Sequence, residues 1–231
     1  SVSDTGGERL WFCFHADCGV RGRTGFRIRR DTAVHPLLRT KVLETNNNSS
    51  MPFELPDTFV ALSREPRAES YVKKANAYDA YLSGRVDIRY DFRMNRVVYL
   101  IKDGRQVVDA AGRTLDNIKP KWWRYGKSGN PFVCGTSRVG IVLEDCASAC
   151  SVSSFLSGIA LLGTNLQDSH LPYLRKYDRL LVALDKDATK KGLQLVRRLQ
   201  AIRPTSLVVL NKDVKDMTDD ERKRTFERYI P

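Results

Sequence analysis

The chain has 231 residues, 42% of them hydrophobic, which is enough for one large domain or two small ones and excludes a disordered basic tail. No apolar run approaches the roughly 20 residues of a membrane-spanning helix, and residues 1–10 are polar, so neither a span nor a secretory leader is read here. Lys and Arg number 39 against 27 Asp and Glu, a formal charge of +12, and the excess is unevenly placed. Residues 1–84 hold 12 basic and 10 acidic side chains and residues 139–231 hold 15 and 12. Residues 85–138 hold 12 and 5, so more than half of the surplus sits in under a quarter of the chain. Such a stretch is either an electrostatic footprint for a polyanion or a solvated surface, and charge alone does not separate the two. Five cysteines, an odd count without secretory features, point to a reducing, cytoplasmic compartment, the host cytoplasm if the protein is viral.

In chain order, a β-like segment leads into Cys13 and Cys18, with Gly19 after them. Residues 46–50 (Asn-Asn-Asn-Ser-Ser) read as a linker. The pattern predicts a helix over 64–83, then strands over 86–101 and 105–111 about a turn at Asp103-Gly104. Four short apolar runs, Val139–Leu143, Ile159–Leu162, Leu180–Leu184 and Leu207–Leu210, predict strands covered on both faces. Helices are predicted between them over 147–157, 169–177 and 188–202, and a last one over 218–229 starts at Thr218. Alternating strands and helices imply a parallel sheet with right-handed crossovers. The expected fold is therefore α/β within an α+β whole. A partial β element spans 1–45, a mixed basic subdomain 46–138, and a parallel-sheet domain with helices on both faces 139–231.

The first of the four strands runs into Glu144 and the third into Asp185, followed by Asp187. Parallel strands end on one rim, so the three carboxylates are expected to converge there. Packed together they repel one another unless a cation neutralises them. Mg²⁺ or Mn²⁺ suits an oxygen-only site completed by water and phosphate. Without His or Cys at the same strand ends, zinc is not expected there. Singly, each residue reads at least as readily as a helix cap; as a set, the metal reading leads.

The order Val-Leu-Glu144, Ala-Leu-Leu-Gly163-Thr164, Ala-Leu-Asp185-Lys-Asp187 and Leu-Asn-Lys212-Asp213 resembles a Toprim domain, and more narrowly the catalytic core of bacterial and phage-type DNA primases. Upstream, Arg96-Val-Val-Tyr-Leu-Ile, Gly112-Arg113 and Lys119-Pro-Lys121-Trp122 resemble the basic subdomain of those primases. The likeness covers roughly residues 55–216. It implies that Glu144, Asp185 and Asp187 hold divalent metal, and that Arg113 and Lys121 grip template phosphate or triphosphate. Arg124, Lys127 and Lys212 are further candidates, and Trp122, Trp123 and Tyr125 are candidates for stacking on bases, with one of the two tryptophans expected in the core. Asp145 stands where many such domains have Gly, and Ala188-Thr189-Lys190 replaces the usual Glu-Ala-Gly.

The segment from Leu10 to Gly19 resembles the second half of a zinc ribbon, with Cys13, Cys18 and His15 as local ligands and His35 as a remote one. A first ligand pair is expected upstream of Ser1, so zinc is expected to be missing or poorly held in this chain. The activity implied is template-directed synthesis of RNA primers on single-stranded DNA from ribonucleoside triphosphates. With no Gly-x₄-Gly-Lys-Ser/Thr loop in the sequence, unwinding is expected from a separate replicative helicase. A Toprim nuclease and a non-catalytic single-strand-binding module are the alternatives.

Overall fold

In the computed structural model, residues 53–185 and 188–229 are described in full, together with the backbone of three strands before them. Contacts divide the chain into units at 1–49 and 50–231. In the first unit β1 (Val2–Thr5), β2 (Glu8–Phe12) and β3 (Arg21–Thr24) form an antiparallel sheet in that order. Val2 lies opposite Trp11, and Phe12 opposite Arg21. Cys13, His15, Cys18 and His35 lie outside the described residues, as does Asp187.

Two five-stranded sheets share a core in the second unit. The first is an antiparallel meander of β4 (Phe59–Ala61), β5 (Ile88–Asp91), β6 (Arg96–Asp103), β7 (Gln106–Thr114) and β8 (Trp122–Arg124). Alternation along β6 sends Val97, Tyr99 and Ile101 into the shared core. Val98 and Leu100 go to the opposite face, under Phe53, Phe59 and Tyr125. Where one strand is expected over 86–101 there are two. Asp91 Oδ1 accepts from the N–H groups of Arg93 (3.0 Å) and Met94 (3.3 Å), and Asn95 takes φ 48°, which turns the chain back. The helix expected over 64–83 is likewise split into α1 (Pro66–Lys74) and α2 (Tyr78–Leu82), because Asn76 takes φ 53°.

The second sheet comprises β9 (Phe132–Cys134), β10 (Val139–Leu143), β11 (Ser157–Ala160), β12 (Arg179–Val182) and β13 (Thr205–Leu207), in the order β13-β12-β10-β11-β9. Its last four strands in sequence are parallel, and β9 joins the edge antiparallel. Ile141, Leu143 and Leu181 face the shared core, with α3 (Cys146–Ser151) and α6 (Asp219–Phe226). Val142, Leu180 and Val182 pack under α4 (Leu171–Leu174) and α5 (Thr189–Gln200) through Leu174, Leu195 and Leu199. The α/β pattern with helices on both faces is as the sequence implies. Tyr99 of one sheet meets Phe132 of the other edge-to-face at 5.9 Å. Among the described residues no helix is long and apolar enough to cross a membrane.

Candidate active site

From β10 the chain passes to β11 on one side, then reaches β12 on the other, so strand order reverses at β10. Such a reversal opens a crevice at the carboxyl ends of the strands. Glu144 follows β10 directly, and Asp185 lies just beyond β12. The Asp185 N–H donates to Glu144 Oε1 at 3.3 Å. The Gly163 N–H donates to the Glu144 carbonyl at 3.2 Å, so the Gly163-Thr164 turn borders the same rim. Burial pushes the Asp185 carboxyl up to about 6, and the charges of Glu144, Asp213 and Asp145 add to the push while Lys215 opposes it.

Lys215 is a site residue the sequence reading misses. That reading points to Lys212, whose Nζ pairs on the surface with Glu221 Oε2 at 2.7 Å and draws that carboxyl down to about 2. Lys215 turns inward, with Nζ 2.8 Å from Asp145 Oδ2 and 2.9 Å from Asp213 Oδ2. Although burial works against its charge, the two carboxylates hold it well above the ordinary lysine range. Its turn is gripped from two directions. Asn76 Nδ2 donates to the carbonyls of Lys215 (2.7 Å) and Met217 (3.2 Å), and buried Arg222 donates to those of Val214 and Met217. The sequence signal is slight, a lysine bracketed by Asp213 and Asp216. Asp145 caps α3 by accepting the Ser148 N–H at 2.9 Å and serves as counter-ion to Lys215.

The donor set at the rim is all oxygen and crowded with like charge, which fits a hard divalent cation. Among the described residues no three His, Cys, Asp or Glu side chains gather at metal-holding distance. Asp187, the third expected ligand, is outside them.

Beside the rim lies a cleft of about 410 Å³ lined by Arg67, Ser70, Tyr71 and Lys74 of α1 with Arg113, Asp116 and Asn117, in which Asp116 pairs with Arg67 at 3.4 Å and leaves a net basic lining. The four α1 residues recur at i, i+3, i+4 and i+7, one helix face, while Ala68 and Val72 fill the core-facing side. The sequence reading misses Arg67 and Lys74, and that periodicity is the signal that could have found them. Arg113 lies over the Trp122 ring at 5.9 Å, and its buried Nε has no protein partner. Tyr71 is pushed above the ordinary phenol range by burial and by the charge of Asp145, with Arg113 and Lys215 opposing. It thus joins cleft to rim.

The other basic candidates divide. Lys121 and Lys127 are exposed. Arg124 is committed inward, its Nε 2.8 Å from Asp109 Oδ2 and its Nη2 2.7 Å from the Asn130 carbonyl. Trp123 is the tryptophan left 45% exposed, whereas Trp122 packs on Tyr99 at 5.8 Å. Tyr125 is tied down by its hydroxyl, which donates to Asp91 Oδ2 at 2.7 Å.

The basic loop is moored to the α/β half at Ser169, whose Oγ donates to the Gly129 carbonyl at 2.7 Å. The next residue, His170, is fully buried, with Nδ1 accepting the Gln167 N–H at 3.3 Å. Burial, helped by the charge of Arg124, pushes its imidazole down to about 4. Unfolded histidine titrates near 6.5, so unfolding takes up a proton between those values; stability is full above about 6.5 and falls toward pH 4, on the order of 2–3 kcal/mol from this residue. His170→Gln is expected to flatten that limb of the stability–pH curve in urea titrations. Parallel wild-type and variant curves would contradict the assignment.

The fold and rim define an α+β class in which a parallel sheet carries carboxylates at its strand-order reversal beside a basic antiparallel sheet. No protein-family model and no curated protein matches the sequence. Solved structures similar to this chain include the DnaG primase catalytic domain bound to ssDNA, with 19% identity, 72% of this chain and 59% of that chain covered and a TM-score of 0.46. A DNA primase domain from Pseudomonas aeruginosa is similar at 17% identity, with coverages of 74% and 63% and a TM-score of 0.49. The E. coli primase catalytic core is similar at 18% identity, with coverages of 74% and 65% and a TM-score of 0.48. The chain spans about three fifths of the length of these structures.

Proposed function

We propose that this chain is the catalytic core of a Toprim-type DNA primase that builds short RNA primers on single-stranded DNA from ribonucleoside triphosphates. The observation that carries the reading is the meeting of Glu144 and Asp185 at the sheet's strand-order reversal, beside the Arg113 cleft. In the reaction a primer 3′-hydroxyl attacks the α-phosphate of the incoming triphosphate, and the bond to pyrophosphate breaks. Glu144 and Asp185, with Asp187 as the third ligand expected from sequence, hold Mg²⁺ or Mn²⁺. Bound there, such an ion supplies positive charge for the attacking oxygen and the departing pyrophosphate. Lys215 offsets Asp145 and Asp213 and fixes the turn at the rim. Arg67, Lys74 and Arg113 offset phosphate charge in the cleft. Exposed Lys121 and Lys127 meet the template backbone, and Trp123 offers a ring on which a base stacks. Arg124 shapes the loop that presents them. A separate replicative helicase supplies the unwound template, in the cytoplasm.

The test is incubation with single-stranded DNA, ribonucleotides and Mg²⁺ or Mn²⁺, beside an Asp185→Ala/Asp187→Ala variant. Short RNA products lost in the variant are the expected result. Cleaved DNA would make the protein a nuclease, and tight DNA binding without products in either protein would make it a binding module.

A further inference from the structure

A second cavity, of about 670 Å³, shares no lining residue with the Arg113 cleft or the rim, and its volume suits a small-molecule ligand. Three stretches far apart in sequence build it: residues 73–85, residues 150–155 after α3, and the first turns of α6. Four cations line it, Lys73, Arg85, Arg222 and Lys223, against the carboxylates of Asp79 and Asp219. Lys73 is matched by Glu69, 2.6 Å away, so the other three cations set the character of the site. Arg85 is held entirely by neutral oxygens: Ser83 Oγ at 2.7 Å, Ser153 Oγ at 3.1 Å and the Asp79 carbonyl at 3.5 Å. Its charge is thus oriented but not neutralised. Arg222 is only 3% exposed, and its Nη1 donates to the Val214 and Met217 carbonyls. Its Nε has no partner among the described residues, and its counter-ion, Asp219, is itself 77% exposed. A buried guanidinium neutralised only from the solvent side is an incompletely paired charge. Lys223, next on the helix, is exposed. Two half-buried rings complete the lining. Phe155 is backed by Phe226 at 6.2 Å, and the Tyr78 hydroxyl donates to Glu69 Oε1 at 3.0 Å.

We propose that this cavity is a second nucleotide site, which takes a nucleoside monophosphate without a metal ion. The phosphate oxygens accept from Arg222 and Lys223, replacing the exposed Asp219 carboxylate at the Arg222 Nη2, and Arg85 adds its uncompensated charge. The base lies against Tyr78 and Phe155, whose fixed rings cost little further ordering on binding. Asn76 lines the same cavity, and Asn76 and Arg222 are the two side chains that clamp the Lys215 turn. Occupancy therefore bears on the rim without touching its carboxylates. The inference does not rest on the primase reading.

The experiment titrates the folded full chain with adenosine monophosphate (AMP) in EDTA by calorimetry, and follows amide hydrogen exchange with and without AMP. One saturable site is expected, with exchange slowed over residues 150–155 and over the 214–217 turn. Lys223→Glu, at an exposed position, is expected to weaken AMP by about tenfold. Asp219→Asn, which removes the competing carboxylate, is expected to tighten it. Arg113→Ala, in the other cleft, leaves the affinity unchanged, and inorganic phosphate binds about tenfold more weakly than AMP. Absence of saturable binding, or AMP binding lost in Arg113→Ala but kept in Lys223→Glu, would overturn the inference. So would phosphate binding as tight as that of AMP, or slowed exchange confined to residues 66–74 and 113–117. Slowing at 150–155 with an unchanged turn would overturn the link to the rim. Primer synthesis is read in a separate assay, so the primase reading stands or falls apart from these results.

Discussion

Asp185→Asn is expected to lower primer synthesis by about 10³-fold, equivalent to about 4 kcal/mol of transition-state stabilisation, while leaving the fold as stable as wild type or more so. The two halves of that expectation share one cause. Burial and neighbouring carboxylates oppose the Asp185 charge and push its carboxyl up to about 6 in the fold, above the ordinary aspartate range. Above that window the folded state carries a carboxylate that the unfolded chain ionises more easily, so this group costs stability as pH rises from about 4 to 6. Asn removes the cost, about 1 kcal/mol after allowance for its partial exposure. Steady-state primer synthesis and thermal unfolding, measured at pH 7.5 on the same preparations, check both halves. A variant that lost activity together with stability would mark Asp185 as structural.

Asp109→Ala is expected to have the largest effect on stability, about 3–5 kcal/mol, or roughly 10 °C in Tm. The Asp109 side chain is wholly buried between the two sheets' connecting loop and β7. Its Oδ1 accepts the N–H groups of Ala110 and Gly126, both at 2.7 Å. Its Oδ2 accepts from Arg124 Nε at 2.8 Å, Ser128 Oγ at 2.9 Å and the Ser128 N–H at 3.1 Å. Truncation strands the half-buried Arg124 guanidinium and frees the loop that carries Lys127. Tryptic cleavage after Lys127 under native conditions is expected to accelerate in step with the fall in Tm. Asp109→Asn, which keeps part of the network, is expected to fall between the two. A near-wild-type melt for Asp109→Ala would contradict the account of this loop.

What was legible in the sequence follows from how local each cause is. Val139–Leu143 emerges with the expected bounds because all five residues are buried in an internal strand, where composition is nearly the whole signal. β11 begins two residues earlier than its apolar run, at Ser157. Ser157 and Gly158 look unlike strand residues, and glycine is required there by α3, which sequence order does not display. β13 also ends early. Val209 is 66% exposed, so apolar residues continue past the point where pairing stops. Asn76 and Asn95 break the expected helix and strand at positive φ, a role asparagine is suited to.

The site divides in the same way. Glu144 and Asp185 are legible because strand ends place them. Arg124 reads as an exposed cation until the fold supplies Asp109, 15 residues away, as its partner. Lys215 depends on a turn clamped by Arg222 and by Asn76, and Asn76, 139 residues away, leaves no mark near Lys215 in the sequence.

The claim that the β10–β12 rim is a divalent-metal site is tested most directly by Mn²⁺ titration followed by electron paramagnetic resonance. The wild-type chain is expected to quench the free-ion signal in a saturable way, to release Mn²⁺ to excess Mg²⁺, and to lose this binding in Glu144→Gln and in Asp185→Asn. Indistinguishable titrations of the wild type and both folded variants would place any metal elsewhere and contradict the account.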